Sequence, residues 1–172
     1  MIRSAPTLVG NALPYNNIIP TQVNSTSWNQ ISAAGNYSIA LSSNNLLYTW
    51  GTNTVNQLGD GTTINKSSPV QIGTASWSLI SGGFDHAVAI NPSNQLYTWG
   101  NNLSTLVPTY TFFWTAISAG DGHTLAIRND NTLWAWGLNN LGQLGDNTSV
   151  WKSSPVQLGS GSWSSVSAGA GN

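Results

Sequence analysis

The chain has 172 residues, no cysteine, no glutamate, and only four basic and five acidic side chains, for a net charge of −1. That excludes disulfides, Cys-based metal sites and Cys nucleophiles, and it leaves no basic patch to neutralise nucleic-acid phosphates. Charged residues make up 5% against roughly 25% in an average domain, so solubility rests on the 61 Ser, Thr and Asn residues, while nine Trp argue against disorder.

Residues 1–27 read as an N-terminal arm that ends in the last strand of a partial unit, "PTQV" after Pro20. The arm lacks the unbroken apolar stretch of a secretory signal, and nothing later approaches the roughly 20 apolar residues that span a bilayer. Membrane insertion is not expected. From Trp28 onward the chain is periodic. Trp28, Trp77, Trp114 and Trp163 are spaced 49, 37 and 49 residues apart, and each opens a run such as "WNQIS" or "WTAIS". Trp50, Trp99 and Trp136 follow 22 residues after the first three, each before a glycine. Residues 57–77 and 143–163 are the same at 14 of 21 positions. This spacing predicts a tandem array: repeat 1 at 28–76, a shortened repeat 2 at 77–113, repeat 3 at 114–162, and the first strand of a truncated repeat 4 at 163–172. The missing twelve residues of repeat 2 fall after Trp99-Gly100.

Each unit holds four short runs with strand chemistry. Trp-x-x-Ile/Val leads into Ser, Ala and Gly; next come "YSIAL", "HAVAI" or "HTLAI", then "LLYTWG", "QLYTWG" or "TLWAWG". The fourth follows Pro20, Pro69, Pro108 or Pro155, since proline suits a strand's first residue or an edge strand. Turn-forming Asn, Gly, Ser and Asp separate the runs, and no helical period with caps occurs. In the third run the i, i+2 aromatic pairs Tyr48/Trp50, Tyr97/Trp99 and Trp134/Trp136 have neighbours that are not strongly polar either, which marks a strand covered on both faces. Small sheets stacked around an axis give that double cover. The expected fold is all-β, a β-propeller-type repeat of four-stranded antiparallel blades, incomplete at about three and a half blades.

These residues carry a resemblance. "WGTNTVNQLGDGT" (50–62), "WGLNNLGQLGDNT" (136–148), the Pro-Val strands, the Ala-Gly segments and His86 and His123 resemble the regulator of chromosome condensation repeat family. The resemblance covers nearly everything from Pro20 to Asn172. The middle unit departs from it by lacking the Gly-Gln-Leu-Gly loop, and the family's seven-bladed ring needs about twice this length. It implies a propeller, and for the founding members guanine nucleotide exchange on a small GTPase, carried by loops on one face of a complete ring. The long insertion and charged surface of an exchange face are absent here.

Chemistry-bearing constellations are sparse. His86 and His123 sit nine residues after their Trp, and so do Tyr37 and Asn172. A position filled by Tyr, His, His and Asn wants a planar hydrogen bonder rather than a general base. No Gly-x-Ser-x-Gly elbow and no phosphate-cradling loop occurs, so an enzyme is not expected. The dispersed aspartates match no dense metal pattern, and no cofactor is implied. Asp60 and Asp146 share a repeat position and read as turn caps, with Lys66 and Lys152 six residues on. Aromatics that obey the repeat (Trp28, Trp50, Trp77, Trp99, Trp114, Trp136, Trp163) are core by default. Trp151, aligned with Asn65, and Tyr110, Phe112 and Phe113 break it, and are the candidate partner surface, although the last two could equally fill the space of the deleted loop. A carbohydrate site has no specific signature. Five Asn-x-Ser/Thr sequons do not establish secretion in so Asn-rich a chain. The expected function is a non-enzymatic structural or protein-interaction surface, in an extracellular or virus- or phage-particle assembly. An intracellular adaptor and GTPase exchange are the second and third readings. Protein partners, or further copies of the chain, would complete the ring.

Overall fold

The computed structural model describes residues 22–101, the backbone of 103–108, and 112–169. All regular structure among them is strand. Three four-stranded antiparallel meanders follow in chain order: β1 (Trp28–Ala33), β2 (Tyr37–Ser42), β3 (Leu46–Gly51) and β4 (Lys66–Ser76); β5 (Leu79–Gly82), β6 (His86–Ile90), β7 (Leu96–Gly100) and β8 (Leu103–Pro108); β9 (Trp114–Ala119), β10 (His123–Arg128), β11 (Leu133–Gly137) and β12 (Lys152–Gln157). These are blades of an open β-propeller arc. The β2–β3, β6–β7 and β10–β11 hairpins each turn on an asparagine in the left-handed region, Asn45, Asn94 and Asn131, with φ of 60°, 60° and 64°. Asparagine tolerates that conformation because its short amide bonds locally.

Burial explains the unpatterned strands. One core lies between the first two sheets and a second between the last two. The middle strand β6 feeds both: Ala87 and Ala89 point into the first, Val88 and Ile90 into the second. Alternate side chains take opposite faces, so covering both faces removes the polar half of the pattern. The innermost strands carry Ser, Ala and Gly because blades meet there. A side chain at Gly83 would strike the Gly120 carbonyl of the next blade and the His86 ring. With Phe84 and Asp121, these small residues line an open cavity of about 270 Å³. The junctions repeat one bond: Gly82 N donates to Ser32 Oγ at 3.0 Å, Ala119 N to Ser81 Oγ at 3.0 Å, and Ala168 N to Ser118 Oγ at 2.9 Å.

Two expectations need correction, and a third lies mainly outside the described residues. The proline does not open the fourth strand: β4 and β12 begin at Lys66 and Lys152, three residues before Pro69 and Pro155, and β8 ends at Pro108 instead of starting there. All three are outermost strands, where a missing N–H costs no ladder bond. Residues 163–169 form no strand, because no second strand among the described residues lies alongside to pair with them. Pro20 lies outside the described residues, and Gln22 and Val23 after it form no strand.

Candidate functional site

The long loops of the first and third blades are built on a buried asparagine. Asn53 and Asn139 are both 0% exposed, yet fully engaged. Asn53 Oδ1 accepts from Leu58 N at 2.9 Å, and its Nδ2 donates to Asp60 Oδ1 and Thr62 O at 2.9 Å each and to Ile64 O at 3.3 Å. Asn139 repeats the pattern with Leu144 N, Asp146, Thr148 and Val150. The sequence reading assigned neither asparagine a role. The signal that could have found them was their constant distance from Trp50 and Trp136 in both long loops.

Asp60 and Asp146 close the same loops. Each caps a turn onto Thr62 or Thr148, and each is paired, Asp60 with Lys66 at 3.2 Å and Asp146 with Lys152 at 3.1 Å. Burial alone would raise the Asp60 carboxyl. Hydrogen bonds from the Thr62 hydroxyl and amide, the Asn53 amide and Lys66 outweigh it and hold the group at about 2. The Thr148 hydroxyl, against some burial, and then Lys152 lower Asp146 in the same sense. Groups held below their ordinary 3.8 stabilise the fold fully above about pH 4 and lose that contribution as pH falls toward 2. Thermal melts across that window should therefore fall more steeply for the natural chain than for Asp60→Asn with Asp146→Asn. Among the described residues no group of three or more His, Asp or Glu is placed to hold a metal.

The repeat tryptophans form equivalent ring clusters. Trp77 meets Tyr97 edge-on at 5.0 Å, and Trp114 meets Trp134 edge-on at 6.4 Å. Trp77, Trp99, Trp114 and Trp136 are buried, at 4%, 1%, 0% and 8% exposure. Trp50, expected to be buried like Trp99 and Trp136, is only partly so, as is Trp28. The reason is positional. Trp99 packs toward the blade before it, donating to Gln57 O at 3.0 Å beside Gly59, and the described residues contain no blade before the first. Trp163 is 45% exposed because it stands without a sheet of its own.

The four candidate contact residues separate. Tyr110 lies outside the described residues. Phe112 is half-buried, stacked on Trp134 at 5.8 Å with the Arg128 guanidinium 4.2 Å from its centroid. Phe113 is 53% exposed, at the strand ends beside Asn129 and thus opposite the long loops. Trp151 is 61% exposed on the third blade's long loop, with Val150, Leu141 and Leu138 also exposed at 62%, 68% and 38%. In the first blade the matching Asn65 has a structural task, accepting from Asn53 N at 2.8 Å. Trp151 gives up that bond and projects an indole instead. His86 and His123 sit at matching inner positions on successive blades, where His86 Nε2 meets Thr124 Oγ1 at 3.0 Å.

A profile of the Regulator of chromosome condensation (RCC1) repeat matches residues 44–90 and 130–172, just over half of the chain. The chain belongs to this repeat family. A second profile of the RCC1 repeat matches residues 77–104 and 114–143. Among solved structures, human WBSCR16 matches with a TM-score of 0.77 at 19% identity, over 86% of this chain and 44% of that one. Prp20p from Saccharomyces cerevisiae matches with 0.68 at 18%, over 77% and 38%. Yeast RCC1 (Prp20) bound to Kap60 matches with 0.68 at 26%, over 81% and 37%. The chain thus spans less than half the length of each of these RCC1-type proteins. No curated protein sequence matches it.

Proposed function

We propose that this RCC1-repeat chain is a non-enzymatic interaction module whose contact surface is the long loop of the third blade, centred on Trp151. The observation that carries this reading is the exchange at one repeat position, where a loop-holding asparagine gives way to a solvent-exposed indole beside Val150. Exposed large aromatics are the usual anchors of interfaces. The sparse charge and Ser/Thr/Asn-rich composition favour a structural setting in an extracellular or virion assembly. A second reading, an intracellular adaptor, draws on the yeast relative, which binds Gsp1p and histones and is bound by Kap60. Exchange on a GTPase is the third. In this reading protein partners or further copies of the chain complete the propeller.

The test is affinity capture from the native source with the natural chain and with Trp151→Asn. Asparagine restores the loop bond of the first blade, so the variant should fold at least as stably while losing its partner. Particle proteins captured only by the natural chain support the first setting, and a soluble signalling protein or a GTPase supports the others. Equal capture by both forms removes the Trp151 surface from the proposal.

A further inference from the structure

In the first two blades the first residue of the second strand reaches across to the next blade. Tyr37 Oη donates to the His86 carbonyl at 2.5 Å, closing the first junction. His86 holds the same place one blade on and closes the second junction through Thr124 Oγ1, at 3.0 Å. Thr124 is 1% exposed, and His123 beside it is 5% exposed, with no partner for its Nδ1. Gly83 lies so close to the edge of the His86 ring that not even a methyl group fits between them. The charged groups acting on this ring are the His123 imidazole and the Asp121 carboxylate of the third blade, while Asp85, next to His86 in its own blade, acts on the Tyr37 phenol, which meets His86 at its backbone carbonyl.

Two imidazoles and one facing carboxylate cannot both be charged without cost in a buried place. Burial, then the neighbouring His123, hold the His86 imidazole down at about 4, although Asp121 pulls the other way. Burial lowers His123 as well, again against Asp121. Tyr37 behaves oppositely, since burial raises its phenol and it keeps its proton throughout acid conditions. Equivalent positions at two junctions therefore differ in one respect: the second can take up protons and the first cannot.

We infer that the junction between the second and third blades is an acid-opened latch, in which the cost of burying imidazolium charge at the adjoining His86 and His123 parts the two blades, the Thr124 contact included, while the Tyr37 junction stays shut. An opened junction solvates both rings and returns them to their ordinary 6.5, so opening takes up protons. Closure is then fully favoured above 6.5 and is lost as pH falls from there toward about 4.

Amide hydrogen exchange on the intact chain, corrected for the intrinsic pH dependence, reads both junctions at once. Phe84 N, bonded to Gly120 O, and Ala119 N, bonded to Ser81 Oγ, report the second junction; Gly35 N, bonded to Gly83 O, and Gly82 N, bonded to Ser32 Oγ, report the first. From pH 6.5 to 4.5 the second pair should lose up to about 100-fold in protection, at about tenfold per pH unit for His86, and the first pair less than about threefold. His86→Tyr, which copies the Tyr37 clasp, should flatten the response, and His86→Gln checks this with a smaller side chain. Equal loss at both junctions, or an undiminished response in both variants, would overturn the latch.

Discussion

Replacing Trp99 by alanine should cost about 3–5 kcal/mol, the range for removing a large aromatic from a packed core. The ring is 1% exposed, fills the core between the first two blades, and donates its indole N–H to Gln57 O at 3.0 Å. Its loss leaves a cavity and an unpaired carbonyl in a loop whose Gln57 side is itself buried. Trp50→Ala should cost markedly less, about 1–2 kcal/mol, because a ring left partly in water has given up less apolar surface. Chemical denaturation of both variants checks the order. Equal losses would mean that Trp50 is covered as deeply as Trp99, by residues outside those described.

Asn53→Ala should be the next most damaging change, at about 3 kcal/mol or more. An unsatisfied buried polar group costs about 1–3 kcal/mol; this substitution strands the buried Leu58 N, takes the amide donor from the Thr62 and Ile64 carbonyls and from Asp60, and empties a fully buried site. The effect should not stay local. Leu58 is wholly buried in the first core, and the same loop supplies the acceptor for Trp99. Asn140→Ala is the control, since that exposed side chain holds one bond, from Gln143 Nε2 at 3.2 Å, and should change stability by less than about 0.5 kcal/mol. Melting temperatures of the two variants decide the matter, and similar values for both would show that the loop does not depend on its asparagine.

How much of this was legible beforehand can be followed residue by residue. The periodic tryptophans, the small-residue runs and the doubly apolar third strands were enough to read three four-stranded blades, because a short repeat unit can bury such residues only against its neighbours. The turn-capping aspartates were legible for the same reason, each at a constant distance from its threonine. The position of Trp151 as a breaker of the repeat could also be read from alignment with Asn65. What composition and spacing determined, then, was the blade and its order along the chain.

Only the tertiary structure decided the rest. That Trp50 and Trp163 stand partly in water while Trp99 and Trp114 do not depends on which faces have a neighbouring blade, and identical local sequence cannot show it. Asn53 and Asn139 hold a constant place after their tryptophans, but that the loop's polar groups converge on them is visible only in the fold. Phe112 became a packed ring under Arg128 because the third blade offered it Trp134, while Trp151 stands 61% exposed among the described residues. The proline misreading has the same origin: whether a missing N–H matters depends on whether another strand lies alongside. His86 and Tyr37 occupy one repeat position, and their identities alone show that one can gain a proton in acid and the other cannot; only their placement shows that each bridges a junction between blades.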